Sequence, residues 1–316
     1  MAKKKAETAQ KKRVKRRGRG ISRWLPAFLI VLVLGGCLGW MHFQARLTHL
    51  KQAQVYLEDL PQAMDGTTLL YLSDLNIRSA ADRRACTRLM KQLSRLEPDL
   101  LLLGGDYSAP GLLDELNGSE GDAQADAAAF VRSLADFPVK LGKYAVTGEN
   151  DAVNQELEAA FADAGIEYLD DACAVVEKNG GELVLAGLSD ASRNKTPYTQ
   201  IGRYFNGDEC VIALAHNPAS YVDIRVNEAK GGGAWADLVL SGHTTGGQIK
   251  LLGRTLRAYP QEVARCIGGW YYVEDLPMLV SEGVGCEGPM LRFGTESEVW
   301  LLTLKSGRAS LLPELR

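Results

Sequence analysis

The sequence predicts a layered α/β domain that follows a single N-terminal membrane span. Two observations predict the domain: short, unbroken apolar runs recur along the chain, and stretches with helical character separate many of them. Runs that are apolar throughout, rather than at alternate positions, are typical of strands in a sheet covered on both faces. The span is predicted by residues 24–43, which carry no charge and are long enough to cross a bilayer as a helix.

The segment before the span, residues 1–23, is strongly basic. It holds eleven of the 36 basic residues and one of the 39 acidic residues, so its net charge is +10 and that of the remaining chain is −13. A basic flank stays in the cytoplasm, which places everything after the span outside the cell. We expect the tail to bind anionic membrane lipids, and we do not expect nucleic-acid binding.

A cleaved signal peptide and a lipoprotein signal are the alternatives to an uncleaved anchor. No clear small-x-small cleavage site follows the apolar run. The residues before Cys37, Leu-Gly-Gly, resemble a lipobox, but the apolar run continues past this cysteine. The sequence therefore favours a single-pass signal anchor in the cell membrane.

Two segments complete the domain organisation. Most of residues 44–64 are good helix formers, which predicts a short helical stalk. The alternating strand and helix pattern predicts the domain over residues 65–312. Its last apolar runs, 271–283 and 297–305, have no helix between them and are predicted to pair as antiparallel strands.

Polar side chains that could do chemistry follow the apolar runs. They are Asp74, Asp106, Glu149, Asp151, His216 and His243. Ligands commonly bind where the parallel strands of such a sheet end, so we expect these side chains to share one site. A lone Asp after a strand is more often a turn residue, but six such residues at successive strand ends favour a functional site. The two histidines, the only ones in the domain, favour a metal site.

These motifs resemble those of the calcineurin-like metallophosphoesterases, particularly the membrane-associated bacterial branch, over residues 66–304. The family's Asp-x-His, Gly-Asp, Gly-Asn-His-Asp and Gly-His-Thr-His-Gly-Gly-Gln motifs correspond to residues 74–76 (Asp-Leu-Asn), 105–106 (Gly-Asp), 148–151 (Gly-Glu-Asn-Asp) and 242–248 (Gly-His-Thr-Thr-Gly-Gly-Gln). Residues 216–218, His-Asn-Pro, match the family's isolated histidine. The resemblance implies a four-layer αββα sandwich and a centre for two divalent metal ions.

The resemblance also implies how the ligands divide between the two ions. One set keeps two carboxylates and two imidazoles, which suit Mn²⁺, Fe²⁺ or Zn²⁺; it consists of Asp106, Glu149, His216 and His243. The other set consists of Asp74, Asn76, Asp106 and Thr245. An amide and a hydroxyl bind transition metals more poorly than imidazole does, so the second ion is expected to be weak or absent, or a hard ion such as Mg²⁺ or Ca²⁺.

The same resemblance implies roles for two further residues. Asn150 stands where the family has a histidine that assists the leaving group or contacts the phosphate, and Asp151 is expected to orient neighbouring groups. An amide supplies no proton at neutral pH, and the loss of such a group typically costs about 10²–10⁴ in rate.

The expected function is metal-dependent hydrolysis of a phosphodiester or pyrophosphate at the cell envelope, with reduced activity. The substrate would be a phosphorylated small molecule or an envelope lipid or glycan. The alternative is a catalytically inactive relative that binds a phosphorylated envelope ligand or a protein partner. The loss of three of the family's five histidines favours this alternative, and the retained carboxylate at Glu149 favours activity.

One further motif fits a dinucleotide fingerprint. Residues 283–288, Gly-Val-Gly-Cys-Glu-Gly, match G-x-G-x-x-G and follow a predicted strand. Pro289 and the residues after it do not open a helix, so the motif lacks the required βαβ context. The resemblance implies instead that this segment is a loop near the rim of the metal centre.

Overall fold

The computed structural model describes residues 21–110, 120–151, 155–190, 198–273, 276–308 and 314–315. The chain divides into two compact units, residues 1–43 and residues 44–316. The first contains most of helix α1 (Ile21–Arg46), in which Trp24–Arg46 is long and apolar enough to cross a membrane. The predicted span lies within this helix, whereas residues 1–20 of the basic tail lie outside the described residues.

The second unit is built around two large sheets. Its strands are β1 (Thr48–Leu57), β2 (Thr68–Leu72), β3 (Leu100–Leu103), β4 (Gly142–Ala145), β5 (Ile166–Tyr168), β6 (Ala172–Lys178), β7 (Gly181–Leu188), β8 (Val211–Ala215), β9 (Leu238–Ser241), β10 (Lys250–Leu251), β11 (Arg254–Thr255), β12 (Gly269–Val273), β13 (Leu276–Val280), β14 (Ser297–Ser306) and β15 (Glu314–Leu315). Its helices are α2 (Ala80–Leu93), α3 (Glu120–Arg132), α4 (Gln155–Asp163), α5 (Ser220–Val226) and α6 (Gln261–Ala264).

The described strands form one sheet of seven and one of six. The first has the order β15-β1-β14-β2-β3-β4-β5, and the second has the order β12-β13-β9-β8-β7-β6. Strands β2, β3, β4 and β5 are parallel, as are β7, β8, β9 and β13. Because the strands of each parallel block point the same way, the loops at their carboxyl ends lie along one edge.

Alternate residues of the strands face different layers. In β2, Leu69 and Tyr71 belong to a core shared by both sheets, whereas Leu70 and Leu72 pack with residues of α2, α3 and α4. A third cluster covers the outer face of the six-stranded sheet with residues of α5 and of the 3-10 turn Tyr198–Tyr204. All four positions of β3 are buried, as expected for a strand covered on both faces. The predicted four-layer αββα architecture is confirmed.

Helix α2 shows how the sequence produces one of the outer layers. It begins after Ser79, whose hydroxyl accepts the backbone N–H of Asp82 at 3.3 Å and so caps the helix. Cys86, Met90 and Leu93 then recur at helical spacing and are buried against the seven-stranded sheet.

The prediction of a helical stalk over residues 44–64 is wrong. Residues 48–57 form strand β1, which pairs in parallel with β14 along its whole length. Alternate residues Ala53, Val55 and Leu57 are buried in the inter-sheet core. This period of two is typical of a strand, but the good helix formers around these residues obscure it in the sequence. Tertiary pairing overrides the local helix propensity, and the compact unit begins at residue 44 rather than 65. It also extends past residue 312, since β15 pairs with β1.

The predicted pairing of 271–283 with 297–305 is also wrong. The first segment contains β12 and β13, which form an antiparallel hairpin in the six-stranded sheet. The second is β14, which lies in the other sheet between β1 and β2. Neighbouring strands in the sequence are separated here because residues 281–296 carry the chain from one sheet to the other.

Candidate metal centre

The predicted site residues lie in five loops that follow parallel strands. Asp74 and Asn76 follow β2, Asp106 follows β3, and residues 149–151 follow β4 in the seven-stranded sheet. His216 follows β8, and residues 243–245 follow β9 in the six-stranded sheet. The edges of the two sheets therefore supply one centre together.

The backbone of these loops is unusual. Five of the predicted residues have positive φ: Asp74 (52°), Asn76 (47°), Asp106 (56°), His243 (71°) and Thr245 (47°). Residues other than glycine seldom adopt this region, and such strain persists mainly at functional sites, where the surrounding fold enforces it. The concentration of strained residues at one edge indicates that the loops are shaped to aim side chains.

Glu149 is the central contact of the predicted intact ligand set. Its Oε1 lies 2.6 Å from Nδ1 of His243, and its Oε2 lies 3.0 Å from Nε2 of His216. The same Nε2 is 3.4 Å from Oδ2 of Asp106. The structure thus brings together all four residues that the sequence assigned to one ion, with ligand atoms of Glu149, His216 and His243 within 4.8 Å of one another.

His216 is oriented as a metal ligand would be. Its Nδ1 lies 2.6 Å from the carbonyl oxygen of Gly104, which can only accept a hydrogen bond. Nδ1 therefore carries a proton, and Nε2 faces the carboxylates of Asp106 and Glu149. Burial by itself lowers the pKa of His216, but Asp106 and Glu149 raise it well above its ordinary value. The site attracts positive charge to Nε2.

Asn150 fixes the carboxylate of Asp106. Its side-chain Nδ2 donates to Oδ2 of Asp106 at 2.8 Å, and its backbone N–H donates to Oδ1 at 3.0 Å. The amide, which the resemblance places where the family has a histidine, is thus directed at a predicted ligand of the centre. The side-chain N–H group of Asn150 is therefore used in a hydrogen bond within the site.

Asp151 organises two of the loops. Its Oδ2 accepts backbone N–H groups of Asp106 at 2.8 Å and Gly148 at 2.9 Å, and its Oδ1 accepts those of Tyr107 at 2.8 Å and Ser108 at 3.3 Å. A buried carboxylate that accepts four backbone N–H groups joins the loops after β3 and β4. This geometry suits the positioning role expected from the sequence.

The second predicted set is also gathered and buried. Asp74, Asn76 and Thr245 are each at most 1% exposed. One carboxylate oxygen of Asp74, Oδ2, accepts the hydroxyl of Ser73 at 2.6 Å, whereas the hydroxyl of Thr245 donates to the carbonyl of Thr244 at 2.8 Å. Ligand atoms of Asp74, Asp106 and His216 lie within 4.8 Å of one another, so the two sets adjoin.

Buried atoms without hydrogen bonds show that the residues fit a metal ion. Among the described residues, Oδ1 of Asp74 and both side-chain polar atoms of Asn76 are buried and make no hydrogen bond. Such atoms are rare in folded proteins and call for an explanation. Burial, together with the charge of Asp106, raises the pKa of Asp74 to about 7, because the carboxylates repel one another. A divalent ion would satisfy the buried oxygens of Asp74 and Asn76 and would offset the excess negative charge.

Two glycines provide the space for these contacts. A Cβ atom on Gly148 would meet Oδ1 of Asp106 and would approach Nε2 of His216 to 2.6 Å. A Cβ atom on Gly105, whose φ is 93°, would lie 2.8 Å from Nδ1 of His216. Only glycine permits the two loops to approach the imidazole this closely.

The structure adds residues that the sequence analysis missed. Glu287 has a carboxylate oxygen within 4.8 Å of those of Asp106 and Glu149, and its Oε1 is buried without a hydrogen bond. It forms an ion pair with Arg257, whose guanidinium lies 5.0 Å from the centre of the Tyr259 ring. Glu287 belongs to the Gly-rich loop 283–288, so the sequence signal was present in a motif rejected for dinucleotide binding.

Comparison with known proteins agrees with this geometry. A family model described as calcineurin-like phosphoesterase matches residues 67–246. A Danio rerio protein described as a transmembrane protein with metallophosphoesterase domain is 28% identical over 266 residues, which cover 80% of this chain and 56% of that protein. The chain thus spans about half the length of this relative.

Two bacterial relatives match over most of their length. YpbG of Bacillus subtilis is 26% identical, with 84% of this chain and 90% of that protein covered. An uncharacterized metallophosphoesterase of Aquifex aeolicus is 26% identical, with 87% of this chain and 98% of that protein covered. Relatives of this chain therefore occur in both bacteria and animals.

Proposed function

This chain belongs to the calcineurin-like phosphoesterase family, and we propose that it hydrolyses a phosphodiester or pyrophosphate bond at the cell envelope. The observation that supports this most is the convergence of Asp106, Glu149, His216 and His243 on one partly buried point. Two carboxylates and two imidazoles are a strong ligand set for Mn²⁺, Fe²⁺ or Zn²⁺. A divalent ion bound there would supply Lewis-acid charge to a phosphoryl group.

The chain's own residues would divide the remaining work. Asn150 and Asp151 hold Asp106 and its loop in place. Asp74 and Asn76 would bind a second, weaker ion. Glu287, whose carboxylate lies near those of Asp106 and Glu149, would offer a further ligand to the first ion. Arg257, at the rim, would exchange its pairing with Glu287 for an incoming phosphate, since guanidinium binds phosphate well.

Reduced activity follows from the same residues. Position 150, where the family has a histidine, carries an amide in this chain. This amide donates to Asp106 rather than to an open position. Asn76 and Thr245 replace two imidazole ligands. A site with one strong ion and no imidazole acid would lack about 10²–10⁴ in rate.

One observation favours a catalytically inactive, phosphate-binding relative as a second candidate. Glu149 contacts both imidazoles, and the two histidines pair with it as cations would. Burial acts against this, but the contact with Glu149 raises the pKa of His243 above its ordinary value. These ion pairs would partly balance the negative charge of Glu149 without a metal ion. Such a protein would bind a phosphorylated envelope ligand or a protein partner.

The proposed location is the cell membrane, with the N-terminus in the cytoplasm and the domain outside. Its support is the apolar helix Trp24–Arg46 and the basic tail before it. Anionic lipids would attract that tail at around 1 kcal/mol per basic residue near the surface.

The test uses the full-length protein, purified in detergent and freed of metal. Hydrolysis of bis(p-nitrophenyl) phosphate is measured with added Mn²⁺, Zn²⁺ or Mg²⁺, together with the bound metal content. Metal-dependent hydrolysis that Asp106→Asn abolishes supports the phosphoesterase. Tight metal or phosphate binding without hydrolysis supports the inactive relative. Absence of metal binding, phosphate binding and hydrolysis contradicts both.

A further inference from the structure

A cavity of about 400 Å³ lies between helix α2 and the segment that leads into β1. We call it the α2 groove; its apolar lining includes Leu47, Leu75, Ala85, Leu89 and Val284. The volume is in the range of cavities that hold small organic ligands. Leu47 and Ala85 are exposed, so apolar surface faces solvent here. The groove is separate from the metal centre, and no part of the proposed hydrolysis uses it.

The charges at the groove are unbalanced. Arg46 and Arg88 line it, and in the described part of the chain neither makes a hydrogen bond or an ion pair. The acidic residue of the lining, Asp82, is already paired with Arg78 at 3.3 Å. An apolar cavity with two unpaired guanidinium groups suits a ligand with a hydrocarbon portion and an anionic head.

The groove also lies within a short length of chain from the candidate membrane helix. Arg46 is the last residue of α1, and Leu47 follows it directly. From Phe43, the end of the predicted span, to Leu47 the chain advances only about 6 Å if helical. Basic residues at the end of a span lie at the level of the lipid headgroups. Lipid is therefore available within reach of these side chains.

The wall of the groove is shared with a loop of the metal centre. Leu75 stands between Asp74 and Asn76 and contributes to the groove. Gly285, also in the lining, donates its backbone N–H to the carbonyl of Asp74 at 2.7 Å. A molecule bound in the groove would pack against the backbone that carries two predicted metal ligands.

We propose that the α2 groove binds an anionic phospholipid of the surrounding membrane. An acyl chain lies along Leu47, Ala85 and Leu89, and the phosphate is held by Arg46 and Arg88. Repulsion from Asp82, the acidic residue of the lining, is offset by its ion pair with Arg78. This proposal does not depend on hydrolysis; it depends on α1 being a membrane span.

The experiment places the full-length protein in phosphatidylcholine nanodiscs that contain a phosphatidylglycerol probe with a photoactivatable acyl chain. After illumination, mass spectrometry locates the labelled peptides. We expect labelling of residues 81–92 and 284–290, in addition to the span. Arg46→Gln and Arg88→Gln should each lower this labelling about fivefold, the ratio that corresponds to around 1 kcal/mol per basic residue at an anionic surface.

Matched variants separate the groove from general effects. Arg84→Gln removes an exposed charge from the same helix outside the groove and should leave the labelling unchanged. Ala85→Trp fills the groove from an exposed position and should abolish labelling while the thermal unfolding midpoint stays unchanged. Labelling confined to residues 24–43, or equal labelling by a phosphatidylcholine probe, overturns the proposal. A dimer that Ala85→Trp dissociates would assign the groove to a second copy of the chain and would also overturn it.

Discussion

The side chain of Asn150 donates a hydrogen bond to Asp106, with 2.8 Å between Nδ2 and Oδ2. The backbone N–H of Asn150 donates to the other carboxylate oxygen at 3.0 Å, so both oxygens of Asp106 are engaged by one residue. The substituted position has therefore acquired a structural contact. The family resemblance implies that a histidine at this position acts on the substrate, whereas the amide of Asn150 contacts Asp106 instead.

We predict that the substituted imidazoles, rather than the fold, limit hydrolysis. We expect the combined change Asn76→His, Thr245→His and Asn150→His to raise hydrolysis of bis(p-nitrophenyl) phosphate by at least about 10²-fold. Each single reversion should do little, since the groups act as a unit. The positive φ at Asn76 and Thr245 does not exclude histidine, which tolerates that region better than most residues.

Glu149 is the control within this experiment. Its additional charge could repel the phosphate once two ions are bound, so the triple variant is also compared with and without Glu149→Asn. If both versions bind two ions and neither exceeds the natural protein in rate, the site was reshaped for another task.

Metal binding should depend on the histidines and much less on Asn76. We expect one tightly bound transition metal ion per chain, measured by titration calorimetry and elemental analysis. His216→Ala and His243→Ala should each abolish this binding, because each removes one of the two imidazoles among the four ligands. Asn76→Ala should barely change it. Two tight transition ions, or loss of the ion in Asn76→Ala, would reverse the assumed ranking of the two sets.

A single methyl group at Gly148 should disable the centre. The added Cβ would meet Asp106 and His216, so Gly148→Ala should greatly weaken metal affinity. Gly181→Ala is the matched control. Its Cβ would lie 2.9 Å from that of Ala63, a similarly close contact that involves no predicted ligand. It should lower thermal stability without changing metal affinity. Equal metal affinity in both variants would show that the close approach at Gly148 is unimportant.

Asp237 should make stability depend on pH. Burial, followed by the nearby Asp59 and Glu58, raises the pKa of Asp237 to about 7, although the N–H of Val211 opposes the shift. The folded chain then keeps a proton that the unfolded chain releases above about pH 4. Stability therefore falls as pH rises from about 4 to about 7.

Asp237→Asn should remove the part of the decline that Asp237 causes, because an amide does not titrate in this range. Its oxygen can still accept the N–H of Val211, which lies 2.7 Å from Oδ2 of Asp237. The measurement is the thermal unfolding midpoint on either side of that pH window. Asp208→Asn changes an exposed carboxyl and should leave the decline as it is. A natural protein whose midpoint rises through the window would contradict the assigned proton.

The orientation in the membrane can be tested on intact cells. An impermeant protease should digest the domain and leave residues 1–23 intact, because the basic flank stays in the cytoplasm. Permeabilised cells provide the control in which both parts are cut. A protected domain with a digested tail would invert the proposed topology.

The sequence by itself determined the local features of this protein. Unbroken apolar runs marked the parallel strands, and the polar residues after them marked the ligand-bearing loops, because side-chain periodicity and strand-end chemistry are local properties. Asp106, Glu149, His216 and His243 were assigned together from a family resemblance in their motifs, and the structure brings them together.

The tertiary structure decided what depends on contacts distant in the chain. Residues 48–57 became a strand only because β14, some 250 residues later, offers a complete edge for pairing. Consecutive strands β13 and β14 went to different sheets, and the loop between them brought Glu287 to the metal centre. Asn150 found its partner on another loop. Such outcomes are set by the packing of whole layers, which local propensity does not encode.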